Sequence, residues 1–217
     1  MCMEKQIQQP NRRERRQRIE LRYDVEIRDK DGNLISKESR RSRSLLTNFV
    51  KILATFLSAP WNAAGSAQSI TDTGNQARTV PTATASAEGQ FWGWNAPAGT
   101  ITYGMVIGIG TGTIAPSDYQ LWSIIAHGSN PTQMVYAGQS YEAVAVVGLV
   151  SSIRATRTFT NNSGSTITVQ EIGWICTAYD SGNVQRYVLM IHDLLISPQA
   201  VPSGATLTLR YTFSATA

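Results

Sequence analysis

The carboxyl-terminal half of the chain repeats short apolar segments separated by turn residues, at a spacing of about ten positions. The clearest segment is the last one, where Leu207, Leu209, Tyr211 and Phe213 alternate with Thr and Arg. Successive side chains of a β-strand point to opposite faces, so this alternation is typical of a strand with one buried face. No helical period interrupts residues 101–217, and the pattern predicts a mostly β chain, folded as an antiparallel β-sandwich or jelly roll.

One strand of this region has an inconsistent alternation. Ile167 and Val169 share one parity, whereas Ile172 and Trp174 fall on the opposite parity. One extra residue in this interval would bring both pairs onto the same face. The sequence therefore predicts a β-bulge at residues 170–173.

A β-hairpin is predicted near the amino terminus. Apolar and charged residues alternate from Ile19 to Arg28, which predicts a strand with one buried face. The segment Asp31-Gly32-Asn33 then supplies residues that tolerate positive φ. We expect the chain to return through Leu34 and Ile35.

A helix is predicted to follow the hairpin, with Ser44 as its N-cap and Pro60 just beyond its end. Its apolar residues recur at helical spacing: Leu45, Phe49, Ile52 and Phe56. Further apolar residues widen this surface so far that the helix must be buried on most sides. We expect a neighbouring chain to complete that burial.

Residues 58–100 are rich in Ala, Ser, Thr, Gly and Asn and have no clear period. A connection this long is uncommon inside a compact domain, and it is either disordered or pinned by contacts. Its aromatic residues favour pinning, because tryptophans exposed on a free loop would promote aggregation. We expect these residues in the core or at a subunit interface: Trp61, Phe91, Trp92 and Trp94. Together with the four helix residues above, they form the predicted subunit interface.

The charge of the chain is concentrated in its first quarter. Residues 1–51 hold 14 of the 19 Lys and Arg but 8 of the 15 Asp and Glu, a surplus of six positive charges. The rest of the chain has few ions and is polar mainly through hydroxyl groups. Such a surface suits burial against other subunits, because ions are costlier to desolvate than hydroxyls.

These patterns divide the chain into a basic arm (1–18), a hairpin plus helix (19–57), an extended loop (58–100) and a sandwich body (101–217). The arm has two interpretations: its arginines contact nucleic acid, or they dock on acidic patches of a neighbouring subunit. The arginines concerned are Arg12, Arg13, Arg15, Arg16 and Arg18.

The residues form no catalytic or metal-binding motif. His127 and His192 have no Cys or Glu at ligand spacing, so we interpret them as surface or hydrogen-bonded histidines. Asp118 and Glu171 are isolated acids, and Glu171 fits a buried hydrogen-bonding residue of a strand. The glycine-rich segment 108–113 lacks the Lys of a phosphate loop and predicts a strand-ending turn. We expect a non-enzymatic protein without a cofactor or metal.

Membrane and secretory signals are also missing from the sequence. No apolar run approaches the roughly 20 residues needed to span a bilayer, and the amino terminus lacks the apolar core of a secretory signal. We expect no membrane partner and synthesis in a cytoplasm. Cys2 and Cys176 indicate neither a disulfide framework nor a metal cage.

Six short blocks of the chain follow one another in this order: 42–49, 110–113, 117–121, 157–161, 171–173 and 201–212. In this order they resemble virion structural proteins of tailed bacteriophages. The resemblance implies a virion subunit, made in the host cytoplasm, that is present in many copies and contacts copies of itself and other virion proteins. It also implies neither cofactor nor catalysis, and it does not distinguish capsid, neck and tail.

Two alternatives stay open at this point. The chain could be a jelly-roll capsid shell protein whose basic arm contacts packaged nucleic acid. It could also be a glycan-binding, receptor-recognition module or a hydrolytic β-sandwich, with Trp92, Trp94 and Tyr119 as stacking platforms.

Overall fold

The computed structural model describes residues 18–57, 67–80 and 93–216. In these residues the chain forms mainly β-strands together with one helix. The bounds of these elements are β1 Arg18–Arg28, β2 Leu34–Arg41, α1 Thr47–Leu57, β3 Gln68–Thr71, β4 Ala77–Val80, β5 Gly104–Gly108, β6 Val135–Tyr136, β7 Ser140–Tyr141, β8 Ala145–Val147, β9 Val150–Thr160, β10 Ile167–Tyr179, β11 Gln185–Val201 and β12 Thr206–Thr216.

Most strands belong to two antiparallel sheets. In the main sheet the order is β2-β1-β12-β9, and β6, β7 and β8 pair with the other edge of β9. The second sheet contains β11, β10 and β5 in that order, and β3 pairs with β4. The two larger sheets pack against each other around one core, which confirms the predicted mostly β, antiparallel sandwich.

The core depends on three strands of the main sheet that alternate in phase. Val25 pairs with Leu209, and Ile27 pairs with Leu207, which in turn pairs with Phe159. All five side chains are completely buried. A slip of one residue in any of these strands would turn its apolar side chains toward solvent. The hairpin of β1 and β2 is therefore part of the main sheet and not an appendage of it.

The predicted turn of this hairpin is confirmed. The carboxylate of Asp29 accepts hydrogen bonds from the backbone N–H groups of Asp31 (2.9 Å) and Asn33 (2.8 Å). Gly32 has a φ of 85°, a left-handed conformation that glycine adopts without a steric penalty. The chain returns through Leu34, the first residue of β2, as the sequence predicts.

The helix starts later than the sequence predicts. It begins at Thr47, and the carbonyl of Leu46 accepts its first hydrogen bond, from the N–H of Phe49 (3.0 Å). The prediction of Ser44 as the N-cap is wrong, because residues 44–46 pair with β11 instead: the carbonyl of Ser44 accepts from the N–H of His192 (3.3 Å). In the described part of the chain, no helix has the length and apolar character needed to cross a bilayer.

The predicted irregularity at residues 170–173 is confirmed, with a difference in detail. Val169 pairs with Gln199 and Glu171 pairs with Leu194, so the single residue Gln170 faces four residues of β11. Most of the extra length therefore lies on β11, the strand opposite the predicted bulge. The sequence pattern located the change of register but not the strand that bulges.

The predicted extended loop contains a hairpin that the sequence analysis missed. Strands β3 and β4 are short and bury only Ile70 and Val80, so their apolar pattern is too brief to recognise. The side-chain amide of Asn48 donates to the carbonyl of Thr71 (2.9 Å) and accepts from its N–H (3.1 Å). In the described part of this segment, contacts with the helix hold the chain in place.

A buried arginine joins the two sheets and the loop that precedes β5. Arg157 of β9 is 1% exposed, and its guanidinium donates to four backbone carbonyls at 2.7–3.1 Å. These carbonyls belong to Pro97, Thr100, Met105 and Ala137. Burial lowers the pKa of Arg157 to about 10, so the group keeps its charge at neutral pH. Its charge is dispersed over carbonyl dipoles rather than paired with a carboxylate.

We expect Arg157→Met to lower the free energy of unfolding by about 3–5 kcal/mol, because it leaves several buried carbonyls without donors. Urea unfolding followed by tryptophan fluorescence measures the change. Arg154→Met is the matched control, because Arg154 lies on the same strand, is exposed and pairs with Glu142 on the surface. The control should shift the free energy by no more than about 0.5 kcal/mol. Equal losses in the two variants would contradict the role assigned to Arg157.

Candidate functional site

The inner face of the main sheet is longer than the surface that packs on it. At one end of the sheet, no other described residue covers this face. Leu21 pairs with Phe213, which pairs with Ile153, and exposure increases along this row from buried Leu21 to exposed Ile153. The next row contains Ile19, which is 84% exposed, and ends at Val146, which is 69% exposed. Both rows have the parity of the core rows, so Ile19, Ile153 and Val146 face solvent on the side of the sheet that carries the core.

An aromatic pocket of about 430 Å³ lies where the two sheets separate. The ring of Trp174 from the second sheet stacks on Tyr211 of the main sheet at 5.6 Å, and the edge of Trp94 meets it at 5.2 Å. The pocket is lined by Phe49, Trp94, Asn95, Tyr141, Ile153, Ala155, Trp174 and Phe213. Its wall is therefore almost entirely apolar, with one amide side chain.

Hydrogen bonds fix the position of Trp94. Its backbone carbonyl accepts from the side chain of Gln139 (2.9 Å) and from the indole N–H of Trp174 (3.1 Å). The oxygen of the same Gln139 amide accepts from the N–H of Met105 (2.8 Å). The pocket is therefore held by the edge of the second sheet and does not depend on side-chain packing alone.

A hairpin of unusual composition flanks the pocket. We name residues 143–153 the apolar hairpin. They comprise β8, the connection to β9 and the first residues of β9, and they contain no charged side chain. Val144 is 65% exposed and Val147 is 76% exposed, and Val147 has the parity opposite to that of Val146. Both faces of the hairpin are thus apolar and exposed. Strands with two apolar faces are normally buried on both sides.

The apolar hairpin also lies at an edge of the main sheet. Strand β8 pairs with β9, and no described strand pairs with its other side. Proteins usually protect exposed edges with charged residues. The edge at β8 lacks such protection, so both its side chains and its backbone groups are available for contact.

The helix contributes a third apolar surface. Its inner side carries Ile52, which is buried in the core, whereas Val50, Leu53 and Leu57 recur on its outer side and are exposed. Phe49 lies between these two sides and lines the aromatic pocket. The helix therefore borders the pocket on one side, and the apolar hairpin borders it on the other.

The predicted interface residues fall into three groups. Phe49 and Trp94 line the aromatic pocket, and Leu45 is exposed and forms a β-bridge with Ile191. Ile52 belongs to the core of the chain, so it is not at a surface. The remaining predictions lie outside the described residues: Trp61, Phe91, Trp92 and the side chain of Phe56.

The basic arm lies almost wholly outside the described residues, including Arg12, Arg13, Arg15 and Arg16. Arg18 is the first residue of β1, and its side chain lies 3.6 Å from the carboxylate of Glu20. The interpretation of the arm as a contact for nucleic acid or an acidic partner stays a prediction.

The apolar hairpin is not among the interface residues that the sequence predicts. Residues 143–153 fall within the region 101–217, which the sequence pattern assigns as a whole to the sandwich body. The signal was present, because an uncharged run with both parities apolar is unusual in a chain where other strands alternate. The sequence does not reveal that this run lies at an uncovered edge of the sheet.

A second cluster of polar residues is buried beneath the glycine-rich segment. His192 Nδ1 lies 2.8 Å from a carboxylate oxygen of Asp118, and its Nε2 lies 2.9 Å from Glu171. The predictions of a hydrogen-bonded His192 and a buried Glu171 are confirmed. The two carboxylates bind opposite sides of the ring, so they do not converge on one point. Consistent with this, the described residues contain no cluster that could hold a metal ion.

The glycine-rich segment makes room for Glu171. Its carboxylate accepts hydrogen bonds from the backbone N–H groups of Gly110 (2.9 Å), Trp122 (3.0 Å) and Ser123 (2.8 Å). A Cβ atom at Gly108 or Gly110 would overlap this carboxylate. Strand β5 ends at Gly108 as predicted, but the residues that follow, 109–113, form an irregular segment with a bend at Gly112 and not a turn.

Comparisons with protein-family models, with curated proteins and with solved structures give no match for this chain. Its function is therefore argued from its own residues, and the aromatic pocket with the apolar hairpin is the candidate functional site.

The buried Glu171 should make stability depend on pH. Burial opposes its ionisation, but hydrogen bonds from His192 and three backbone N–H groups outweigh this and hold its pKa below the ordinary value of 4.5. A carboxylate with a lowered pKa stabilises the fold above its unfolded pKa, and that contribution is lost as pH falls through its folded pKa. We expect Glu171→Gln to lower the free energy of unfolding by about 3 kcal/mol at neutral pH.

The difference in the free energy of unfolding between wild type and Glu171→Gln should shrink as the pH falls below 4.5. Urea unfolding at a series of pH values measures it. Glu142→Gln, at an exposed carboxylate paired with Arg154, is the control and should change stability little at any pH. A difference that stays constant through the acid range would refute this assignment.

Proposed function

We propose that this chain is a non-enzymatic structural subunit of a larger assembly, a virion subunit of a tailed bacteriophage that contacts copies of itself and other virion proteins. The assembly contact consists of the aromatic pocket, the apolar hairpin and the outer side of the helix. The resemblance of the sequence blocks to tailed-phage virion proteins supports the phage assignment, and a location in the virion follows from it.

The observation that carries the proposal is the apolar hairpin, which is exposed on both faces at an unprotected sheet edge. Complete burial of a side chain such as Val or Leu contributes about 1.5–3 kcal/mol. Several such side chains lie next to one another here, and an exposed edge of this composition would aggregate if nothing covered it. A partner polypeptide that covers both faces removes this liability.

The polar residues give less support to an enzymatic alternative. The cluster of Asp118, Glu171 and His192 is the chemically richest one among the described residues, and both Glu171 and His192 are completely buried. Their hydrogen-bonding atoms are already occupied by one another and by backbone groups. A substrate has no route to them without local unfolding.

The glycan-binding alternative is also less well supported. A sugar site combines an aromatic platform with several polar groups that bind hydroxyls. Among the described lining residues of the aromatic pocket, Asn95 is the one amide, and the hydroxyl of Tyr141 already accepts a hydrogen bond from Gln139 (2.8 Å). Tyr119 does not line it. Such a pocket is better suited to aliphatic and aromatic side chains of another protein.

The proposal is tested by placing charge on the apolar hairpin of the full chain. We expect wild type to sediment as a species larger than a monomer, with closed rings or shells in electron micrographs. The variant Val146→Lys/Val147→Lys should need about a hundredfold higher concentration to associate, because the burial of two valine side chains is lost. Analytical ultracentrifugation over a range of concentrations measures this.

Val184→Lys is the control, because Val184 is an exposed valine in the turn between β10 and β11, which belong to the second sheet and not to the sheet that carries the apolar hairpin. It should associate like wild type, and circular dichroism should show that all variants fold. A wild-type chain that is folded and monomeric at its highest soluble concentration would refute the proposal. So would equal weakening of association by the control.

A further inference from the structure

A groove of about 530 Å³ lies near the edge of the main sheet opposite the apolar hairpin. It is formed where β1 and β2 meet β11 and the chain crosses toward the helix. We name it the arginine groove after its most frequent residue. Its lining consists of Arg22, Tyr23, Ser39, Arg40, Arg41, Arg43, Ser44, Ile114, Asp193, Leu194 and Ile196.

Two of the four arginines are not neutralised by neighbours. Arg22 lies 3.5 Å and Arg41 lies 3.0 Å from the carboxylate of Glu20, which they share. Among the described residues, no carboxylate forms an ion pair with Arg40 or Arg43 within 4.0 Å, although both side chains are exposed. The groove therefore presents at least two guanidinium groups whose donors are available to a ligand.

The acidic side chains near the groove are occupied within the fold. Glu38 is buried and accepts hydrogen bonds from the hydroxyl of Tyr23 (2.8 Å) and the N–H of Ile196 (3.2 Å). Asp193 is buried and accepts from the hydroxyl of Tyr211 (3.1 Å). Burial raises the pKa of Asp193, although several hydrogen bonds oppose the shift. Positive charge therefore dominates the open side of the groove.

The groove also has features that suit a peptide. Ile114 and Leu194 form an apolar wall together with Ile196, which is 65% exposed. Strand β2 beside it is the outer strand of the main sheet, and no described strand pairs with its free edge. Unpaired backbone groups of an edge strand can bind an extended segment by forming one more strand.

We propose that the arginine groove binds an extended acidic peptide segment of a partner protein. The carboxylates of the segment pair with Arg40 and Arg43, because guanidinium groups bind carboxylates through two parallel hydrogen bonds. Its aliphatic side chains pack on Leu194 and Ile196. A single-stranded nucleic acid is less suited, because Tyr23 is the one aromatic residue among the described lining residues and it is buried, so no ring is available for base stacking.

This proposal is independent of the assembly contact. The groove lies at the β2 edge of the main sheet, whereas the apolar hairpin lies at the β8 edge. Lysine substitutions in the apolar hairpin should leave peptide binding unchanged, so the two proposals can fail separately.

The test uses the full chain and a short synthetic peptide that alternates glutamate with valine, with binding measured by fluorescence anisotropy at several salt concentrations. We expect saturable binding that weakens as salt increases. Arg40→Gln/Arg43→Gln should reduce the affinity by roughly a hundredfold, about tenfold for each charge-assisted contact. Ile196→Ser should weaken binding of this peptide several-fold but leave that of a polyglutamate peptide unchanged.

Lys30→Gln/Lys37→Gln is the matched control, since it removes the same charge from the same hairpin outside the groove. The control should retain nearly full affinity. Absence of saturable binding, or an equal loss in the control, would overturn the proposal. A single-stranded DNA oligonucleotide that binds more tightly than the peptide and depends on Arg40 and Arg43 would also overturn it, because the groove would then be a phosphate site.

Discussion

The in-phase register of β1, β12 and β9 is the constraint on which the rest of the structure depends. Because cross-strand partners share a face, every second residue of each strand joins a common inner row. Where the second sheet covers these rows, as at Val25 and Leu209, they form the core. Beyond its cover, a further row on the same face of the sheet exposes Ile19 and Val146 to solvent. One register thus produces both the stable body and the proposed contact with other subunits.

Buried polar residues determine how the loops attach to this frame. Arg157 binds carbonyls from β5 and the preceding loop, and Glu171 binds the N–H groups of Gly110 and Ser123. These hydrogen bonds position segments with little apolar content of their own. The side chain of Gln139 likewise links the backbone of Met105 in β5 to that of Trp94, so the aromatic pocket is formed before any partner binds.

Much of the fold could be predicted because it follows from local patterns. The alternation ending at Phe213, the turn at Gly32 and the change of register at Gln170 all leave a signal within a few residues. Ser44 was misassigned because the start of the helix depends on the pairing of residues 44–46 with β11, a contact that is distant in sequence. The hairpin of β3 and β4 was missed because its stability comes from Asn48 and other distant partners.

The sequence by itself determined that this chain is mostly β, where its longest strands alternate, and that its charge is concentrated near the amino terminus. Only the tertiary structure decided which apolar residues are covered. Ile52 and Val146 are both aliphatic residues in apolar segments, yet one lies in the core and the other faces solvent. The reason is physical: hydrophobicity favours burial, but burial also requires an opposing surface, and distant strands supply it in one place and not in the other.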